Sequence, residues 1–392
     1  MRMGIVAGIS ACMVLLVSPM ARGYDQIVQK QPMPLGDYQT INGGQIKTVQ
    51  VGYETYGTLS PNKDNVILLC HGSVNSAHFA GKYDPSDSRP GIWDHVIGPG
   101  NIIDTDKYYV VASDSLTNFL VKDPHVFTTG PASVNPDTGQ PYAMKFPIVT
   151  IADFVNVQKM LLDKLGIHKL HAVMGYSMGA MQTLEWAARY PDMVARAIVV
   201  VGQAEQGPYN IELKDIVQSI IKLDPNWNNG DYYGKNEPEE GLFLAFKAFE
   251  MTITSYAPLE RTYDRAWADP TKNPAASWDN KFAVQVFSDK AARQAIKNAD
   301  ANSWLYIAQA LNLFQTGHEY NLRGGIARIK AKTLFIPSKS DQLMFPDFSR
   351  KAYSLMKSMG KDVDFVELDG DGGHSELVNI DQAETKLRAF LN

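Results

Sequence analysis

The chain has 392 residues, 45% of them hydrophobic and 20% charged, and 37 Lys+Arg against 42 Asp+Glu leave a net charge of −5. This composition can bury a core and excludes disorder as the main state; the lack of a basic block excludes a general nucleic-acid binder, because phosphate contacts need clustered cations. At about 150 residues per domain the length allows two or three domains, or one large domain carrying an insertion.

The first residues read differently from the rest. Met1-Arg2-Met3 carries one positive charge, Gly4 to Val17 is uncharged and mostly apolar, and Pro19-Met-Ala-Arg-Gly23 sets small Ala21 and Gly23 before a peptidase site. This reads as a secretory signal peptide over residues 1–23, cleaved after Gly23 to give a periplasmic or secreted chain. The apolar run is shorter than the ~20 residues that cross a bilayer as a helix, so no stable membrane span is expected after cleavage. Ile9-Ser10-Ala11-Cys12 also resembles a lipobox, with little apolar stretch before its cysteine. Cys12 and Cys70 are the two cysteines, so the processed chain would keep one thiol. Cys70 closes an apolar run and reads as a core residue.

Strand-like runs occur at Asn65–Cys70, Tyr108–Ser113, Leu170–Met174, Ala197–Val201, Thr333–Pro337 and Val363–Leu368. Continuous apolar runs of this length read as strands buried on both faces of a mainly parallel sheet. Thr150 and Asp153 form a capping-box pattern, after which Phe154, Val157, Leu161 and Leu165 keep helical spacing up to Gly166. Strand and helix in alternation mean an α/β sheet with helices on both faces. The alternation stops between residues 207 and 325, where Leu242, Ala245, Phe246 and Phe249, then Trp304, Ile307, Ala308 and Leu311, mark amphipathic helices. Residues 24–206 and 326–392 therefore read as the core, and 207–325 as an inserted helical lid.

Chemistry enters at the end of the Leu170–Met174 run, in Gly175-Tyr176-Ser177-Met178-Gly179 followed by a helical segment. A GxSxG between strand and helix is a nucleophile elbow, in which small residues permit the strained turn that lifts the Ser hydroxyl above the sheet. Such a Ser needs an acid and a His in that chain order. Asp341 follows the Thr333–Pro337 run and His374 follows the Val363–Leu368 run through Asp-Gly-Asp-Gly-Gly373, which puts both at the sheet edge where Ser177 lies. In this reading Ser177 is the nucleophile, His374 the base and Asp341 its orienting carboxylate. Backbone N–H groups of Met178 and Ser73 are the expected oxyanion hole, with His71 ordering the loop. A metal site finds no support, since His168 and His171 lack partners at ligand spacing and Asp-Gly-Asp-Gly-Gly lacks the later ligands of a calcium loop. No cofactor is called for.

The stretches VGYETYGTLSPNKDNVILLCHG, TTGPASVNPDTGQPYAMKFPIVTIADFV, GYSMGAMQTLEWAARYPD, DPNWNNGDYYG and DANSWLYIAQALNLF resemble the homoserine O-acetyltransferases of the α/β-hydrolase superfamily. The resemblance covers most of the chain after residue 23. It implies an α/β-hydrolase fold, a Ser–Asp–His triad falling on Ser177, Asp341 and His374, acetyl transfer from acetyl-CoA, and a homodimer packed through lid helices.

Departures from the family pattern point elsewhere. The arginine that the family sets on the homoserine carboxylate falls at Gln218, the aspartate after the catalytic histidine is Ser375, and the elbow reads Gly-Tyr-Ser with Tyr176 beside the substrate position. Lys214, one turn before Gln218, is the alternative carboxylate contact. A charge-assisted contact is worth about 1.5–3 kcal/mol, so losing both handles removes most discrimination for an amino acid. Acetyl-CoA is cytoplasmic, and an exported enzyme would lack it. The expectation is therefore an exported serine hydrolase acting on a small-molecule acyl substrate, with a CoA-dependent O-acyltransferase as the alternative.

Overall fold

A computed structural model describes residues 23–392, so the expected signal peptide lies outside the described residues except for Gly23. Eight strands form one sheet: β1 (Gln31–Gln39), β2 (Gln45–Tyr56), β3 (Val66–Cys70), β4 (Tyr109–Ser113), β5 (Ala172–Tyr176), β6 (Arg196–Val200), β7 (Lys332–Ile336) and β8 (Val363–Phe365). Their spatial order is β1-β2-β4-β3-β5-β6-β7-β8, antiparallel from β1 through β4 and parallel from β4 to β8. The last six match the expected runs to within one to three residues at most ends. The first two were not expected. Pro32 and Pro34 and the polar residues of β1 mask the strand pattern, and such residues are tolerated because β1 is the sheet's outer edge.

Alternate residues of the parallel strands enter different cores. Ile67, Leu69, Met174 and Ile198 pack on one face with Trp93 and the C-terminal helix residues Leu387 and Phe390. Val66, Leu68, Val173 and Val199 pack on the other with Leu162, Leu184 and Met356. Both faces being covered explains why these strands read as unbroken apolar runs.

Helix α1 (Ile151–Lys164) carries the expected capping box, Thr150 with Asp153. Helix α2 (Met178–Arg189) follows the elbow. Between β6 and β7 come only helices: α3 (Pro208–Leu223), α4 (Glu239–Ile253), α5 (Tyr256–Tyr263), α6 (Ala283–Ala295), α7 (Ala301–Asn312) and α8 (Leu322–Arg328), with one 3₁₀ stretch. Among these, α8 straddles residue 325 and sends Ile326 into the sheet-facing core beside Leu184, so structurally it belongs to the core layer rather than to the lid. A third buried cluster fills the space under the lid, joining Val217, Phe246, Phe249 and Trp304 to Met178 and Leu343. Helices α9 (Pro346–Ser358) and α10 (Glu384–Leu391) complete the sheet layers. No helix among the described residues is long and apolar enough to cross a membrane.

Candidate active site

Strand β5 ends at Tyr176 and α2 begins at Met178, which leaves Ser177 to make the whole reversal, with φ 57° and ψ −121°. A non-glycine residue held there is strained and persists only where its surroundings fix it. The flanking glycines show how tight the turn is: a Cβ on Gly179 would stand 1.9 Å from the Cys70 carbonyl oxygen, and one on Gly175 would stand 2.2 Å from that of Gly179. The Ser177 N–H donates to the Val200 carbonyl at 3.1 Å, tying the elbow to β6. Met178, as the first residue of α2, has an N–H with no acceptor inside the helix.

Asp341 and His374 follow the ends of β7 and β8. His374 Nδ1 lies 2.6 Å from Asp341 Oδ2, and Asp341 Oδ1 accepts from the N–H groups of Leu343 and Met344, each at 2.8 Å. The carboxylate is thus held by its own loop on one oxygen and holds the imidazole with the other. His374 is 3% exposed, and its Nε2 has no partner. That nitrogen belongs to a residue lining a cavity of about 200 Å³ that Ser177 also lines, 7% exposed itself.

The loop after β3 closes the cavity on the other side with Gly72, Ser73, Val74 and Asn75. It is ordered by His71, which is fully buried. Its Nε2 accepts from the Ser115 N–H at 3.1 Å, so the ring proton sits on Nδ1, 2.7 Å from the Gly72 carbonyl. Burial pushes the His71 pKa down to about 4. Cys70, at the end of β3, is buried, and burial raises its thiol pKa well above the usual range. Among the described residues no group of three His, Cys, Asp or Glu stands where it could hold a metal ion.

Residues 123–377, which include Ser177, Asp341 and His374, match the family model described as alpha/beta hydrolase fold. The homoserine O-acetyltransferase of Methanosphaerula palustris is 41% identical over 352 residues, which are 90% of this chain and 70% of that protein. The chain belongs to the homoserine O-acetyltransferase family of α/β hydrolases. The crystal structure of esterase E22 matches with a TM-score of 0.89 at 42% identity, over 93% of this chain and all of that one. The homoserine O-acetyltransferase from Bacillus anthracis matches with a TM-score of 0.89 at 38% identity, over 94% and 98% of the two chains. This member of the family is an enzyme, its relatives being acyl-transferring or acyl-hydrolysing.

Three substrate contacts expected from the family pattern fare differently. Ser375 does line the Ser177 cavity. Tyr176 does not: its ring is buried beneath Gly72, packed on Phe79 and Trp93, because the residue before the elbow serine still belongs to β5 and points into the sheet. Gln218 does not either. The inward face of α3 is Asn210, Lys214, Val217 and Ile221, which turns Gln218 to the flank, in a shallow depression with Met144, Lys222 and Tyr306. Lid residues Phe249 and Ile253 were not expected at the site, yet they form a cavity wall with Ile92, Leu377 and Val378. Phe249 belonged to an amphipathic series whose buried side was legible; that this side covers Ser177 was not.

Proposed function

We propose that this protein is an exported serine hydrolase that cleaves an ester or related acyl bond through an acyl-enzyme. The observation that carries the reading is His374 Nε2, buried and unpartnered, on an imidazole fixed by Asp341 and sharing a cavity with Ser177 on a strained elbow. In the reaction Ser177 Oγ attacks the acyl carbonyl while His374 Nε2 takes its proton. The oxyanion is met by the Met178 and Ser73 N–H groups. His374 then protonates the departing oxygen, and a water, deprotonated by the same nitrogen, releases the acid.

Hydrolysis is favoured over transfer to an amino acid because no Asp, Glu, Lys or Arg lines the cavity; Ser375 supplies only a hydroxyl. Export is supported at the start of the described chain. The Tyr24 backbone nitrogen lies 3.1 Å from Asp94 Oδ1, so an ammonium created there by cleavage after Gly23 would meet a carboxylate. A homodimer through the lid fits the exposure of Leu244 and Met251 on α4.

The test is hydrolysis of acyl esters by the processed protein, with mass analysis after a serine-directed phosphonate. Adduct on Ser177, and turnover lowered roughly 10⁴-fold or more in Ser177→Ala and His374→Ala, are the expected results. Near-normal turnover in Ser177→Ala would overturn the reading. The relatives named homoserine O-acetyltransferase favour a second reading, a CoA-dependent O-acyltransferase. Efficient formation of O-acetylhomoserine from acetyl-CoA would establish that one instead.

A further inference from the structure

The segment that delivers His374 is Asp369-Gly-Asp-Gly-Gly373, glycine at three of its last four positions. Strand β8 ends at Phe365 and a last bridge joins Ser338 to Leu368, after which the backbone leaves the sheet. A glycine-rich stretch has many conformations open to it, and fixing one of them costs entropy. The imidazole at its end nevertheless has to stay on Asp341 with Nε2 toward Ser177.

Two side chains outside the triad hold this segment. Ser340, the residue before Asp341, donates its hydroxyl to the Gly370 carbonyl at 2.8 Å and accepts from the Gly373 N–H at 3.0 Å. It thus spans the two loops that carry Asp341 and His374. Glu376 reaches back from two residues beyond the histidine, and its Oε1 accepts from the Gly372 N–H at 2.8 Å. Its Oε2 accepts from the amides of Asn379 at 3.0 Å and Gln382 at 2.9 Å, while Gln382 Oε1 accepts from the Asp369 N–H at 2.9 Å. Glu376 is 4% exposed and forms no ion pair among the described residues, so these three donors are what offset the cost of burying its carboxylate. A Cβ on Gly370 would stand 2.0 Å from the Glu376 carboxyl carbon, which shows how closely the segment lies on it.

We propose that Ser340 and Glu376 are positioning residues for His374. By occupying the polar backbone groups of Gly370, Gly372 and Gly373 they fix where the imidazole stands, and Asp341 then fixes how it is turned. The proposal rests on His374 acting as the base for Ser177. Neither side chain is part of the cavity lining, so their effect is on the fraction of molecules in which Nε2 is aimed at Ser177. Removing a pin lowers that fraction, and turnover falls with it while the walls that bind the ester are unchanged.

The experiment compares the full processed protein with Ser340→Ala, Ser340→Thr and Glu376→Gln on 4-nitrophenyl acetate, with Ser177 counted by titration with a serine-directed phosphonate. Ser340→Ala should lower kcat per titrated site about tenfold to a hundredfold, as expected for two lost hydrogen bonds, with KM changed by no more than about twofold. Phosphonylation of Ser177 should slow by a similar factor and reach the same end point, and the far-downfield proton resonance of the His374 Nδ1–H should weaken. Ser340→Thr keeps the hydroxyl and should retain most of the activity. Glu376→Gln offers one acceptor oxygen where three donors converge and should also lower kcat, and the double variant with Ser340→Ala should lose less than the product of the two single losses because both act on one segment. If Ser340→Ala does not fold, Glu376→Gln carries the same comparison. Unchanged kcat and phosphonylation rate per titrated site in the folded variants, even with a lowered thermal midpoint, overturns the positioning role. No turnover and no phosphonate adduct on Ser177 in the unaltered protein overturns the serine hydrolase reading instead.

Discussion

The Ser115 N–H donates to His71 Nε2 at 3.1 Å, across the gap between the loops that follow β4 and β3. The contact requires a neutral imidazole, and it fixes the loop whose Ser73 lines the same cavity as Ser177. The folded His71 pKa of about 4 lies below the usual 6.5, so the unfolded chain binds a proton that the fold refuses. Stability from this group is complete above pH 6.5 and is lost as pH falls toward 4, by roughly 3 kcal/mol at most. Urea unfolding at pH 7 and pH 4.5 should show a smaller loss in His71→Gln than in the unaltered protein. An equal loss in the two would remove His71 as the cause.

Gly179→Ala should abolish folded, active protein. The added Cβ would meet the Cys70 carbonyl at 1.9 Å, and that backbone sits mid-sheet with no room to move. Gly207→Ala, with nothing within 4 Å of its Cβ position, is the control and should change stability by no more than about 0.5 kcal/mol. Circular dichroism and soluble yield of the two variants check the pair.

Lys214→Met should stabilise the protein near neutral pH. The folded pKa of about 8 is below the unfolded value of 10.5, so the penalty of the buried ammonium is full below pH 8 and fades as pH rises toward 10.5. The variant should gain up to about 3 kcal/mol at pH 7, with the gain shrinking across that window. Denaturant midpoints at pH 7 and pH 10 would measure it; a destabilised variant at pH 7 would show that the ammonium has a partner inside the fold.

Arg261 on α5 forms a two-pronged ion pair with Asp371, and Ser255 donates to the Asp371 carbonyl, so the lid is fastened to the loop that leads to His374. The pair is exposed and should respond to salt. Asp371→Arg should change KM for esters, and adding Arg261→Asp should restore much of it. Steady-state kinetics of the two single variants and the double variant decide this; simple additivity would mean the pair does not hold the lid.

What one chain could show by itself was local. Buried parallel strands are short apolar runs because both sheet faces are covered, and the elbow is legible because only Gly fits at 175 and 179 beside a reversing serine. The positions of Asp341 and His374 beyond strand ends followed from the same patterns, each read within a dozen residues. β1 escaped because an edge strand faces water and carries Pro and Gln, and β2, paired on both sides, escaped because Gln, Lys, Thr, Gly and Glu interrupt its apolar residues.

Tertiary packing decided the rest. Which side of α3 faces inward depends on how that helix seats against α4, and one step of about 100° separates buried Val217 from the flanking Gln218. The same rotation sets Phe249 over Ser177, while the strand register sends Tyr176 beneath Gly72. Sequence spacing records that a helix has an apolar side; only the packed fold chooses the surface that side covers, because the choice is made by contacts between residues far apart in the chain.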